Sequence, residues 1–268
     1  MNISPISFRS YSSNAHFKNN SIMPIKTSFK GVIQGLPDPR DYADASNFCI
    51  PWQKQDELKN EYKSKVLAAC FDKDGNLNPQ IVEYLDNTKF NIETDVRGEK
   101  QNMTVKEAIN SSINGVDDVS LSLYHATFGT ETIEQIRQNG FNPEKISRTK
   151  LGPGFYFSPS EGGAREYSSA VLMADCTGKC ARMKQSFFEK IMESGIVTKL
   201  SNFIGLNSRD YATGMAESEV STRIINEYAR NYLVNDLGID MAYGSTGRFE
   251  SCFAVFNPDS ILNIRSVN

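Results

Sequence analysis

The feature that most constrains the fold of this chain is a glycine-framed aromatic run at residues 151–167 (LGPGFYFSPSEGGAREY). A turn ending at Gly154 leads into three consecutive aromatic residues. This pattern predicts a β-strand whose backbone comes so close to something else that a Cβ would clash. Residues 164–172 predict a short helix. Tyr156 would then lie on the strand and Tyr167, eleven residues later, on the helix, so that the two rings face each other across a flat ligand.

A second informative stretch lies upstream, at residues 123–130 (LYHATFGT). Residues 119–127 predict a strand that carries His125 near its end, and residues 130–139 predict a helix closed by Gly140. The chain has two histidines, and the other, His16, lies near the N-terminus. A single histidine on a strand is more often a packing or surface residue than a catalytic one. His125 becomes a candidate catalytic residue through its combination with the aromatic run.

Four blocks in a fixed order resemble the NAD-dependent ADP-ribosyltransferases of the diphtheria-toxin and poly(ADP-ribose)-polymerase type, the His-Tyr-Glu class. In chain order they are His125 with a small residue after it, a helix ending in Asn-Gly-Phe at 139–141, Gly-x-Gly-Phe-Tyr-Phe at 152–157, and Ala164-x-x-Tyr167. Residues 171–183 resemble that family's next hairpin, with a turn at Thr-Gly-Lys. Residues 252–261 resemble its closing strand. The resemblance covers residues 119–268 and depends on the order of the blocks.

The resemblance implies an α+β fold. In that fold, residues 119–268 would form a split β-sheet domain with flanking helices that binds NAD. For residues 38–118, apolar residues at helical spacing and helix start signals predict a mostly helical region. Residues 1–37 hold four basic and no acidic residues among many Ser and Asn, which predicts a disordered leader. A leader of this kind resembles organelle-targeting or bacterial export segments. The alternative is a disordered N-terminus without a targeting function. We therefore expect a cytoplasmic protein, or an effector-like protein exported into a host cytosol.

Composition argues against several classes of function. The 268 residues are 39% hydrophobic, enough to bury a core. A net charge of −3 and a pI of about 5.6 argue against a nucleic-acid partner bound mainly by electrostatic attraction, and no apolar run is long enough for a membrane span. Five cysteines, an odd number, predict reduced thiols. Cys176 and Cys180 have no His or further Cys nearby, so no metal site is expected.

The resemblance also implies roles for single residues. The histidine at the position of His125 binds a ribose hydroxyl of NAD, and the next residue, here Ala126 instead of the usual glycine, holds the nicotinamide amide through its backbone N–H and C=O. The cationic nicotinamide ring would stack between Tyr156 and Tyr167. Ala164 stands where the polymerase-type pattern often has a serine, which removes one hydrogen bond to NAD. The expected NAD-binding set is completed by Thr127, Gly154 and Cys252.

The catalytic glutamate of the family pattern is displaced in this chain. When the closing strand is aligned by its end at Pro258, the carboxylate position falls on Cys252, which cannot accept two hydroxyl hydrogen bonds as a carboxylate does. Glu250 lies two residues earlier and would share a strand face with Cys252, displaced by about 6–7 Å. A bulge at Ser251 would bring Glu250 closer. Glu250 is therefore the candidate carboxylate, with a surface glutamate at the strand entrance as the alternative.

The reaction implied by the resemblance is transfer of ADP-ribose from NAD to an acceptor, a protein side chain in our expectation, with release of nicotinamide and without a metal. Its oxocarbenium-like transition state would be stabilised by the carboxylate. Two alternatives stay open. A degenerate member would bind NAD or ADP-ribose without chemistry, as the displaced carboxylate favours. An RNA 2′-phosphotransferase-like enzyme would share the fold and a histidine near the first strand, but such enzymes rely on basic residues and this domain is acidic.

Overall fold

Helices and strands are mixed along the part of the chain that the computed structural model describes, which is residues 33–94, 98–142, 146, 150–184, 186–206, 211–245 and 251–267. The helices are Trp52–Cys70 (α1), Pro79–Asn87 (α2), Val105–Ser112 (α3), Thr130–Asn139 (α4), Glu161–Arg165 (α5), Phe187–Ile191 (α6), Val197–Ile204 (α7) and Tyr211–Asn231 (α8). The strands are Phe90–Glu93 (β1), Lys100–Met103 (β2), Ile113–Thr127 (β3), Phe155–Phe157 (β4), Ala170–Met183 (β5), Met241–Gly244 (β6), Cys252–Val255 (β7) and Ile261–Val267 (β8).

The region expected to be mostly helical, residues 38–118, contains α1, α2 and α3, and the starts of α2 and α3 follow from local capping. Asn78 accepts a hydrogen bond from the backbone of Gln80 at the start of α2. Thr104 and Glu107 form a reciprocal capping box at the start of α3. Between these helices the antiparallel hairpin of β1 and β2 was not predicted from the sequence. None of the described helices combines the length and the apolar character that crossing a membrane requires.

The main sheet is organised around β5. Its strand order is β3-β5-β6-β7-β4, and β8 also pairs with β5. One edge of β5 pairs with β3 over its whole length, whereas the other edge pairs with β6 at residues 180–182 and with β8 at residues 171–176. The sheet therefore divides at β5. This is the expected α+β architecture, a split sheet with flanking helices.

The prediction of a hairpin at residues 171–183 is wrong, because β5 is one continuous strand. The expected turn at Thr177, Gly178 and Lys179 instead lies opposite Ser120, Val119 and Asp118 of β3. Because β3 begins at Ile113, earlier than predicted, it offers hydrogen-bond partners across the whole stretch. Long-range pairing therefore overrides a local turn signal.

The larger of two hydrophobic clusters joins the helices to one face of the sheet. It contains Tyr62 and Leu85 from the helical region together with Ala181 and Phe256 from the sheet. The described residues belong to one compact unit that spans residues 31–268, and the boundary expected between residues 118 and 119 lies inside β3. Ile33 is buried in the same cluster, so the end of the segment expected to be a disordered leader is packed. Residues 1–32 of that leader lie outside the described residues.

Gly154 is required by the packing of β4 on β7. A Cβ at this position would lie 2.7 Å from the carbonyl oxygen of Val255 and 3.0 Å from the ring of Phe256. We expect Gly154→Ala to lower the free energy of unfolding by about 1–3 kcal/mol, because the backbone of β7 would have to move. Urea unfolding would measure this effect.

Gly162 supplies the matched control for that experiment. It lies in α5, where an added Cβ would meet no atom within 4 Å. Gly162→Ala should therefore leave stability unchanged or raise it slightly, as alanine does in a helix. Equal stability of wild type and Gly154→Ala would contradict the packing explanation.

Candidate functional site

The candidate functional site is a cavity of about 360 Å³ at the place where β3 and β4 separate. This volume lies in the usual range for small-molecule sites, roughly 300–1,000 Å³. Six residues predicted from the sequence line the cavity: His125, Ala126, Thr127, Tyr156, Tyr167 and Cys252. Gly154, which was also predicted, is buried against β7 and does not belong to the lining. Glu250 lies outside the described residues.

A second cleft, of about 1220 Å³, lies between α1 and α8. None of the predicted site residues lines it. Charged side chains in its lining pair with one another, Lys63 with Glu219 at 2.8 Å and Arg230 with Glu227. The smaller cavity is therefore the better candidate site, because it combines apolar walls with a few polar groups.

His125 lies at the point where the contact between β3 and β4 ends. The backbone N–H of Tyr124 donates to the carbonyl of Ser158 at 2.9 Å, and the N–H of Ser158 donates to the carbonyl of Tyr124 at 2.7 Å. Beside this bridge, His125 Nδ1 lies 2.7 Å from the carbonyl oxygen of Tyr156. A carbonyl can only accept, so Nδ1 carries the hydrogen. In a neutral ring, Nε2 is then an acceptor.

Burial of the His125 ring controls its charge. The ring packs against Phe141 and Phe157, with centroid distances of 5.1 and 5.3 Å. Burial lowers the pKa of His125, and the hydrogen bond to Tyr156 opposes that shift without cancelling it. At neutral pH the imidazole is therefore uncharged and can accept a hydrogen bond from a hydroxyl group.

The lowered pKa predicts a pH dependence of stability. The folded pKa lies below the unfolded value of 6.5, so the unfolded state binds more protons as the pH falls. This contribution to stability is present above pH 6.5 and is lost as the pH falls towards the folded pKa. We expect an NMR titration to show a His125 midpoint below 6.5, with His125→Gln used to assign the signal. A midpoint at or above that value would contradict the burial argument.

The backbone of Ala126 points into the cavity. In an antiparallel strand, alternate residues direct their N–H and C=O groups to the same edge. The N–H and C=O of Tyr124 point away from β5, because both bond the backbone of Ser158. In the pairing of β3 with β5, Tyr124 lies opposite Met173 and Ala126 lies opposite Val171. The N–H and C=O of Ala126 therefore point to the same edge as those of Tyr124, where β4 has already diverged.

Tyr167 lies in a turn after α5. The helix predicted for residues 164–172 is wrong: Ser160 caps α5 at its start, α5 ends at Arg165, and β5 begins at Ala170. The helix starts earlier than predicted, at Glu161, because Ser160 caps it. It cannot extend to residue 172 because residues from Ala170 onward pair with β3. The side chain of Tyr167 is 65% exposed. Partial burial is the main cause that raises the pKa of Tyr167, and the neighbouring Cys252 and Glu166 raise it further.

Tyr156 is held differently from Tyr167. Its hydroxyl accepts a hydrogen bond from the backbone N–H of Leu151 at 2.7 Å and donates to the carbonyl of Gly152 at 3.2 Å. Its ring also packs against the larger hydrophobic cluster. The structure thus brings both predicted tyrosines to one cavity, with Tyr156 as part of a fixed wall and Tyr167 as an exposed side chain.

Cys252 is the first residue of β7 and is half-buried in the cavity lining. Burial raises the pKa of its thiol to about 11. The thiol is therefore protonated at neutral pH, so it provides neither the charge of a carboxylate nor a reactive thiolate. Within the described ranges, no three His, Cys, Asp or Glu side chains are grouped closely enough to hold a metal ion.

Phe128 and Ser168 are among the lining residues that the sequence analysis did not assign to the site. The Ser168 hydroxyl donates to the carbonyl of Thr127 at 2.7 Å, which ties the turn after α5 to the end of β3. Nothing local to Ser168 indicates this contact. Phe128, however, could have been recognised as a candidate, because it is an apolar residue within the turn sequence Thr-Phe-Gly.

Comparisons with known proteins add little to this geometry. No protein-family model matches the chain, and no curated protein matches it. Among solved structures, the crystal structure of the M. tuberculosis MbcT-MbcA toxin-antitoxin complex is similar at 10% sequence identity and a TM-score of 0.24, covering 61% of this chain and 91% of that chain. We infer nothing from a similarity of this size.

Proposed function

We propose that this protein is an enzyme that transfers ADP-ribose from NAD to a protein side chain and releases nicotinamide. The observation that supports the proposal is the convergence of three groups at one cavity. They are the neutral imidazole of His125, the inward-pointing backbone of Ala126, and the ring of Tyr167. These groups come from separate segments in the order that the sequence resemblance implies.

Each group suits one part of NAD. A primary amide both donates and accepts, so the nicotinamide amide can bond the C=O and N–H of a single residue, Ala126. The Nε2 acceptor of His125 suits a ribose hydroxyl. The cationic nicotinamide ring is attracted to the face of an aromatic side chain such as that of Tyr167.

The proposed reaction breaks the bond between the ribose anomeric carbon and the nicotinamide nitrogen. The bonding electrons leave with nicotinamide, which becomes neutral, and positive charge develops on the ribose. An acceptor then attacks the anomeric carbon and loses a proton. A carboxylate near the ribose would stabilise the developing charge, and we assign this role to Glu250. The protonated thiol of Cys252 does not supply such a charge.

A binding module without catalysis is the second candidate function, and one observation favours it. The residue aligned with the family's carboxylate is Cys252, whose pKa of about 11 keeps it neutral. An RNA 2′-phosphotransferase is disfavoured, because the lining that the described residues provide contains no lysine or arginine to bind RNA phosphate.

The test is incubation of the purified protein with a cell lysate and NAD labelled in either half. Transfer predicts that label from the adenylate half appears on protein while nicotinamide is released. Nicotinamide release without labelled protein would contradict transfer and indicate hydrolysis of NAD. Binding of NAD with neither product would support the binding module.

A further inference from the structure

A buried side-chain oxygen in the lining of the larger cleft has no hydrogen-bond partner. Asn226 of α8 is 7% exposed and lines the cleft of about 1220 Å³ between α1 and α8. Among the described residues, its carboxamide oxygen is the one buried side-chain nitrogen or oxygen that no group of the protein bonds. A buried acceptor without a partner is rare in folded proteins because it destabilises them. A ligand that supplies an N–H or O–H group would remove this cost.

The cleft has the length of a short extended peptide. Its lining on α8 begins at Ser218 and continues to Asn235, just beyond the end of the helix. At roughly 1.5 Å per residue, this stretch is about 25 Å long. An extended chain advances roughly 3.3 Å per residue, so about seven residues would span the cleft. The volume of about 1220 Å³ also exceeds the usual range for small-molecule sites, roughly 300–1,000 Å³.

Uncharged polar side chains supply groups that can pair with a peptide backbone. Those in the lining are Asn76, Asn226, Asn231, Asn235, Ser64, Ser218 and Thr222. A carboxamide donates and accepts hydrogen bonds as a peptide group does, so it can bond a backbone whatever the neighbouring side chains are. Leu67, Ala68 and Pro153 add apolar surface that suits the side chains of such a ligand.

The charges of the lining do not favour a strongly charged ligand. The described lining holds four basic and four acidic residues, namely Lys63, Lys73, Arg223, Arg230, Asp72, Asp74, Glu219 and Glu227. Lys63 and Arg230 are already paired with Glu219 and Glu227. Nucleic acid binds through basic groups that neutralise its phosphates, so a lining with balanced charges suits it poorly. A polypeptide segment of low net charge fits better.

We propose that this cleft binds an extended peptide segment of a partner protein, and that a backbone N–H of the segment donates to the carboxamide oxygen of Asn226. The segment has a low net charge and carries apolar side chains, which match the lining. This inference goes beyond the proposed function and does not depend on it, because no described residue lines both this cleft and the smaller cavity.

The test begins with selection of binders to the full chain from a phage library of random 12-residue peptides, followed by anisotropy titration of the synthetic peptides. We expect Asn226→Leu to weaken their binding on the order of tenfold, as loss of a buried hydrogen bond does. The Tm of this variant should not fall, because the oxygen that it removes has no partner in the free protein. Asn202→Leu, at an exposed asparagine outside the cleft, should leave peptide binding unchanged.

Methylation of single backbone nitrogens in a selected peptide tests the proposed bond itself. At one position, we expect the methyl group to weaken binding to wild type on the order of tenfold and to have little further effect on binding to Asn226→Leu, since both changes remove the same bond. The inference is wrong if no selected peptide depends on Asn226, or if the effects of methylation and Asn226→Leu multiply at every position. Binding of a 12-nucleotide single-stranded RNA that Asn226→Leu weakens, without any such peptide, would also overturn it.

Discussion

Replacing Glu250 by glutamine is expected to slow transfer of ADP-ribose by at least about a hundredfold while leaving NAD affinity nearly unchanged. Glutamine has nearly the same shape as glutamate but no negative charge. Loss of the negative charge should therefore raise the energy of the transition state, in which positive charge develops on the ribose. Initial rates of nicotinamide release at saturating NAD, together with the Kd for NAD, separate these two effects.

Cys252→Ala is the matched control, two residues away. With a pKa of about 11 the thiol is protonated, so its removal should change the rate only slightly. If Cys252→Ala abolishes transfer and Glu250→Gln does not, the assignment of the carboxylate is wrong. If the wild-type protein has no turnover to lose, the binding module takes the place of the enzyme.

Replacing His125 by alanine is expected to lower NAD turnover on the order of a hundredfold, because the ribose loses its hydrogen-bond acceptor. The structure adds a cost in stability. The carbonyl of Tyr156 would lose the donor that now lies 2.7 Å away, and the contacts with Phe141 and Phe157 would go. We therefore expect a lower Tm but still a cooperative melt.

His125→Asn separates the two roles of this side chain. Its amide nitrogen can occupy the place of Nδ1 and donate to Tyr156, but it has no group at the place of Nε2. The variant should melt closer to wild type than His125→Ala does and still lose turnover. A variant that is active but unstable would show that His125 serves packing alone.

Elements with local signals could be predicted from the sequence. The helix α3 carries its capping box within its own first turn, and α4 ends at Gly140, whose φ of 74° lies in the region that favours glycine. Features set by distant partners could not. The Thr-Gly-Lys stretch of β5 has the composition of a turn, and only β3 makes it a strand. The glycine at 154 was correctly interpreted as a close approach, but the approaching group is β7 rather than a ligand.

The same distinction applies to the site. The resemblance identified His125, Ala126 and Tyr167, which the structure brings to one cavity, because their order along the chain carries the information. It did not identify Phe128 or the tie between Ser168 and Thr127, because these depend on how two segments meet in space. It gave Tyr156 and Tyr167 equal roles, and the structure brings both to the cavity, but the sequence did not indicate the hydrogen bonds that join the Tyr156 hydroxyl to Leu151 and Gly152.

The position of β7 determines when the cavity can form during synthesis of the chain. Among the described elements, β4 is held in the sheet by β7 and by its bridge to β3, and β7 lies between β4 and β6. Among the described elements, only β8 follows β7 by more than a few residues. A nascent chain that ends before Cys252 lacks both a cavity wall and the strand that positions Tyr156, so the cavity cannot form until this segment has been synthesised.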